Sequence, residues 1–155
     1  MSFIDTLMVW FSLFYYATLI VVFILRAHER SSLELKLAYV FSGFLIPFTL
    51  LWVANLLGNG DTSRIITGIP IVVFLVYDLW YRLLSRMKPL HHPERWPMGL
   101  YIYLLLLQFS SIMLNWYAFL ISQSAGNLVL VGYFGTLAAF GYYQYLQKKK
   151  RAADS

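Results

Sequence analysis

Residues 7–25 read LMVWFSLFYYATLIVVFIL, nineteen residues without a charge, with Asp5 shortly before them and Arg26 directly after. A helix rises about 1.5 Å per residue, so this stretch covers about 28 Å, close to the thickness of the hydrocarbon core of a bilayer. Residues 1–6 lack the basic region that opens a signal peptide, and the apolar stretch is longer than a signal peptide needs. We therefore expect a retained membrane-spanning helix.

Four further apolar runs follow in a chain that is 60% hydrophobic and 12% charged, with a mean hydropathy of +0.65. Each run is about twice the length of a barrel strand, and a helix satisfies its own backbone polar groups in lipid. We therefore predict an all-α membrane protein with a bundle of five transmembrane helices in a single domain, residues 1–155. The predicted spans are about 5–25, 37–57, 65–84, 98–121 and 128–146.

The basic residues predict the orientation of this bundle. Eleven of the twelve Lys and Arg residues fall on one side if each run crosses the membrane once, and only Arg64 lies on the other side. Loops rich in Lys and Arg stay cytoplasmic, so we expect the N-terminus outside and the C-terminus in the cytoplasm, in a plasma or inner membrane. The eleven are Arg26, Arg30, Lys36, Arg82, Arg86, Lys88, Arg95, Lys148, Lys149, Lys150 and Arg151.

Several functional classes are disfavoured by composition. The net charge of +5 comes from basic residues on one predicted membrane face, where they would attract anionic lipid headgroups. We therefore expect the lipid bilayer as a partner and do not expect nucleic acid. The absence of cysteine excludes disulfides and thiolate metal ligation. His28 could meet His91 and His92 at a metal, but neighbouring arginines disfavour a divalent cation. No nucleophile and base pair or phosphate loop is recognisable, so we predict neither an enzyme nor a bound cofactor.

Asp78 is a carboxylate inside the third predicted span, and two interpretations are open. Arg82 follows at i+4, in the order that favours a helical ion pair, near the cytoplasmic headgroups. The favoured interpretation is an interfacial structural pair in which both side chains reach water. The alternative is a proton- or ion-handling residue, because ionisable groups within spans commonly mark transport pathways.

The fourth span carries a polar stripe at helical spacing. Gln108, Ser111, Asn115 and Ser122 recur at intervals of three, four and seven residues, which places them on one face. Uncharged amides and hydroxyls of this kind can bond helices together or line a narrow polar path. The adhesive role is the commoner one.

Small residues form a surface on the fifth span, and two prolines interrupt the second and third. Gly132, Gly135 and Ala139 would let a neighbouring backbone approach closely, whether in this chain, in another copy or in a different subunit. Pro47 and Pro70 are expected to kink their helices.

Two functional hypotheses follow from the sequence. The favoured one is a non-catalytic accessory or structural subunit that packs against other membrane subunits or copies of itself. The alternative is a small channel or transporter for an ion or small solute, with Asp78, Gln108, Ser111 and Asn115 along its path.

Overall fold

The computed structural model describes residues 3–59, 62–80 and 98–153, and its regular secondary structure there is entirely helical. The prediction of an all-helical bundle is confirmed. The helices are α1 (Phe3–Ala27), α2 (Ser31–Gly43), α3 (Leu45–Asn59), α4 (Thr62–Leu79), α5 (Met98–Ile121) and α6 (Gln123–Ala153). Four of them, α1, α4, α5 and α6, are long and apolar enough to cross a membrane, whereas α3 is apolar but short.

The second predicted span, 37–57, is divided between two helices, α2 and α3, where the sequence predicts one helix kinked at Pro47. The break lies at Phe44, three residues before Pro47. Proline has no N–H to donate to the carbonyl of Gly43, and its ring clashes with that carbonyl. The helix resumes at once, since the Phe48 N–H donates to the Phe44 carbonyl at 3.0 Å.

The connection between the last two helices is a single residue, Ser122, where the sequence predicts a six-residue loop. The Ser122 hydroxyl accepts a hydrogen bond from the Ala125 N–H at 3.1 Å, and its carbonyl accepts one from the Gly126 N–H at 2.9 Å. A serine in this position is a favourable helix N-cap. Ser122 therefore begins α6 and does not extend the polar stripe of α5.

The helices alternate in direction along the bundle. The first turns of α1 and α4 meet where Asp5 pairs with Arg64, and the end of α4 meets the start of α5 where Asp78 bonds Tyr103. α1 and α6 run parallel, with matched contacts along both helices: Tyr16 with Gly132, Ile20 with Gly135, and Phe23 with Phe140. The beginnings of α1, α4 and α6 thus lie at one end of the bundle, and the chain finishes at the other.

The core surrounds α1, which contacts α2, α3, α5 and α6 and bonds α4 through Asp5. Aromatic side chains fill much of this core. Phe11 packs against Phe44 and Phe48 with ring centroids 5.4 and 5.2 Å apart, which holds the broken helix against α1. The largest fully buried rings are those of Tyr15, Tyr16, Tyr117, Phe48 and Phe74.

Candidate functional site

Asp78 lies in the last turn of α4 and faces the interior of the bundle. The residue is 0% exposed, and its Oδ1 accepts a hydrogen bond from the Tyr103 hydroxyl at 2.9 Å. Phe74, one turn earlier on α4, packs against the Tyr103 ring with centroids 5.6 Å apart. Two residues of α4, Phe74 and Asp78, therefore hold the phenol of Tyr103 in place.

The predicted ion pair between Asp78 and Arg82 stays a prediction, because Arg82 lies outside the described residues. The position of Asp78 itself bears on that hypothesis. The hypothesis has both side chains reaching water, whereas the Asp78 carboxylate is enclosed between α4 and α5.

Tyr15, near the middle of α1, brings a third helix to the site. Its side chain is fully buried, and its hydroxyl lies 3.4 Å from the Ser110 hydroxyl on α5. Because Tyr103 and Ser110 are seven residues apart, they lie on one face of α5, two turns from each other. Tyr103 and Ser110 are both buried, and the Ser110 hydroxyl donates to the Leu107 carbonyl of its own helix at 3.0 Å.

Two residues of the predicted stripe, Ser111 and Asn115, both meet Tyr16 of α1. The Tyr16 hydroxyl donates to the Ser111 carbonyl at 2.8 Å and accepts a hydrogen bond from Asn115 Nδ2 at 2.9 Å. The Asn115 Oδ1 is buried and has no hydrogen-bond partner among the described residues. This leaves one acceptor in the interior of the bundle unused.

Gln108, the third residue of the stripe, is directed elsewhere. Its side chain is exposed, and its amide donates to the hydroxyl of Tyr133 on α6. The predicted stripe therefore divides: Ser111 and Asn115 face α1, while Gln108 bonds α6 on the outside of the same helix.

The small residues of α6 lie against α1 of the same chain. A Cβ on Gly132 would stand 3.1 Å from the Cβ of Tyr16, and one on Gly135 would stand 3.0 Å from the Ile20 Cδ1. Ala139, a turn farther on, is buried in the core. Of the three neighbours that the sequence left open, the structure places another helix of this chain on this face.

A buried ion pair at the other end of the bundle was missed by the sequence analysis. Arg64 Nη1 lies 2.9 Å from Asp5 Oδ1 and donates to Asn55 Oδ1 at 3.4 Å, while the Trp52 indole N–H donates to the Arg64 carbonyl at 3.3 Å. Arg64 is the only basic residue on its predicted side, and Asp5 lies at the same boundary. That coincidence was the available signal for the pair.

The end of the bundle where α1 finishes carries an exposed ion pair between Glu29 and Lys150. His28 beside it packs on the ring of Tyr142, with centroids 6.3 Å apart. His91 and His92 lie outside the described residues. Within the described ranges 3–59, 62–80 and 98–153, no three His, Asp or Glu side chains converge as metal ligands.

Comparison with known proteins finds no matching family model, no similar curated protein and no similar solved structure. The chemistry of the site is therefore argued from its side chains. A carboxylate can take up and release a proton, and each hydroxyl can donate and accept a hydrogen bond at once. Asp78, Tyr103, Tyr15 and Ser110 supply both capacities inside an apolar bundle.

Proposed function

We propose that this protein is an integral membrane protein that transports an ion or small solute, with Asp78 as its ion-handling residue. The observation that carries the proposal is the complete burial of the Asp78 carboxylate beside the Tyr103 hydroxyl. A carboxylate in such a place costs several kcal/mol to desolvate, about 3 kcal/mol on insertion scales. Ionisable residues within membrane spans commonly mark the pathways of transported ions.

The proposed topology has five crossings, with α2 and α3 together forming the second. The 15 residues of α3 cover about 22 Å, less than the hydrocarbon core, so α2 must complete that crossing. Alternating helix directions support an odd number of crossings. The distribution of Lys and Arg supports an N-terminus outside and a C-terminus in the cytoplasm of a plasma or inner membrane.

The second candidate is an accessory or structural subunit without catalytic activity. Its support is the use of Ser111 and Asn115 as hydrogen-bonding groups between α5 and α1, which is the ordinary role of polar residues in a helix bundle. The small residues of α6 no longer favour a foreign partner, because α1 covers Gly132 and Gly135.

Flux measurements in vesicles separate the two candidates. Purified protein is reconstituted, and proton and monovalent cation fluxes are followed with internal indicators for the wild type and for Asp78→Asn, which keeps the shape and removes the charge. Transport predicts a flux that Asp78→Asn abolishes while thermal melting and oligomer size in detergent stay normal. Equal flux in both proteins, or none above protein-free vesicles, would favour the accessory role.

A further inference from the structure

We infer that the end of the bundle where α1 and α6 finish binds the headgroup of an anionic phospholipid, and that Glu29 limits this binding by holding Lys150. The binding surface consists of the turn between α1 and α2 and the last turns of α6. The inference goes beyond the proposed transport function and does not depend on it.

The length of α6 carries its basic end out of the hydrocarbon core. Its 31 residues cover about 46 Å, whereas the core is about 30 Å thick. With Gln123 at one edge of the core, the other edge falls about 20 residues later, near Tyr142. Lys148 to Lys150 then lie about 9 to 12 Å farther along the axis, from where lysine side chains reach the headgroup phosphates.

The end of α1 lies at the same level. Phe23 packs on Phe140 of α6 with ring centroids 5.3 Å apart, and His28 packs on Tyr142 at 6.3 Å. The Arg26 guanidinium lies 5.9 Å from the centre of the Phe23 ring. The turn after α1 is therefore beside the last turns of α6, and both are at headgroup depth.

These two segments bring together a strong excess of positive charge. Residues 26–36 and 146–153 contain seven basic and two acidic residues. The side chains of Arg30, Lys148 and Lys149 are exposed. Clusters of Lys and Arg directly beyond a membrane-spanning helix attract anionic lipids, and ammonium groups form charge-assisted hydrogen bonds with phosphate oxygens. A zwitterionic lipid has no net charge to attract, so the surface should select anionic headgroups.

The aromatic residues beside the lysines favour a lipid over a soluble anion. Tyr142 and Tyr145 of α6 are exposed, and they precede the lysines by one to two turns. Phenol rings are stable at the boundary between headgroups and acyl chains, where one part of the ring meets lipid and the hydroxyl meets water. A lipid bound there contacts the rings and the lysines together.

Glu29 lies within this surface and neutralises part of it. Its backbone has a φ of 59°, in the left-handed region that a residue with a Cβ adopts at a cost, and the next N–H, that of Arg30, donates to the Leu25 carbonyl at 3.0 Å. This turn brings the Glu29 carboxylate to the Lys150 ammonium. The two side chains are 59% and 47% exposed, so a headgroup phosphate can reach the same ammonium. Carboxylate and phosphate therefore compete for Lys150.

The test counts bound lipids. Purified protein in a neutral detergent is mixed with equal amounts of phosphatidylglycerol and phosphatidylcholine that carry the same acyl chains, and the retained copies of each are measured by native mass spectrometry. We expect Lys148→Gln and Lys149→Gln each to lower the retained ratio of phosphatidylglycerol to phosphatidylcholine about fivefold, which corresponds to about 1 kcal/mol for each basic residue near an anionic surface. Glu29→Gln should raise the ratio by a similar factor. Gln144→Ala, an exposed neutral residue one turn before the lysines, should leave it unchanged.

Two further conditions separate a lipid from a free anion. Raising the salt from 0.1 M to 1 M should lower the ratio, because the screening length falls from about 10 Å to about 3 Å. Inorganic phosphate at the same ionic strength as a chloride control should displace no more phosphatidylglycerol than the chloride does.

Several results would overturn the inference. Other basic residues on the same predicted face, such as Arg82 and Arg86, also attract anionic lipid, so the variants assign the surface. An unchanged ratio in both Lys148→Gln and Lys149→Gln would remove the lipid from this surface. Specific displacement by inorganic phosphate, or tight binding of a short RNA without any preference for phosphatidylglycerol, would replace the lipid by a soluble ligand. A ratio that stays constant or falls in Glu29→Gln would contradict the competition for Lys150.

Discussion

Arg64 Nη1 lies 2.9 Å from Asp5 Oδ1, which joins the first turn of α4 to the first turn of α1 across 59 residues of sequence. The two side chains are 16% and 9% exposed, so little water screens them. The attraction within such a pair adds little to the stability of the protein. Removing one partner is costly, however, because the other is left as an uncompensated buried charge.

Removal of the arginine alone should therefore be costly. We expect Arg64→Met to destabilise the protein by about 3 kcal/mol, and the double variant with Asp5→Asn to recover much of that loss. Thermal melting in a mild detergent measures both. The control is Glu29→Gln, since the Glu29 and Lys150 side chains are 59% and 47% exposed and such pairs contribute at most about 1 kcal/mol. Equal losses for Arg64→Met and Glu29→Gln would contradict the buried pair.

The sequence predicts the helices well because apolar runs of this length have one stable conformation in lipid. It does not predict where they stop. Nothing in the apolar run around Phe44 distinguishes a kink at Pro47 from a break, and that outcome depends on Phe44 and Phe48 packing on Phe11. The small and polar residues after Ile121 are typical of a loop, yet they form the first turn of α6 with Ser122 as its N-cap.

Part of the site could be predicted from helical periodicity, and part could not. Helical spacing places Ser111 and Asn115 on one face of α5, and the structure brings both to Tyr16. The tyrosines themselves were not singled out, because a phenol in a span is as compatible with an aromatic belt as with a buried hydrogen bond. Which way Tyr15 and Tyr103 point follows from how three helices pack, and periodicity within one helix does not contain that information.

Packing of α6 on α1 gives the next prediction. Gly135→Leu should lower the melting temperature, because its Cβ would already stand 3.0 Å from the Ile20 Cδ1. Gly141→Leu, two turns along the same helix, is the matched control, since nothing lies within 4 Å of a Cβ there. The oligomer distribution should not change in either variant, because the contact is within one chain. Dissociation of an oligomer by Gly135→Leu at unchanged melting temperature would mean that the face binds another copy.

Orientation in the membrane can be tested with single cysteines, since the chain has none of its own. We expect Ser124→Cys, exposed at the start of α6, to react with an impermeant thiol reagent added outside intact cells. Ser32→Cys, exposed near the start of α2, should react only after the membrane is opened. The physical reason is the excess of Lys and Arg on the Ser32 side. Labelling of Ser32→Cys in sealed cells would reverse the topology.

The last prediction concerns Asn115, whose amide donates at 2.9 Å to the Tyr16 hydroxyl and at 3.0 Å to the Ser111 carbonyl. Asn115→Leu removes the hydrogen bond to α1 and the one within α5. We expect the free energy of unfolding to fall by about 1 kcal/mol, the usual size for polar contacts between helices in a bilayer. Gln108→Leu, on the exposed side of α5, should cost less because its side chain remains open to the surroundings. Flux in reconstituted vesicles then distinguishes two roles of the residue. If Asn115 only joins helices, Asn115→Leu lowers the melting temperature and leaves flux per folded protein unchanged. If its side chain lines a transport path, flux per folded protein falls in Asn115→Leu and stays normal in Gln108→Leu.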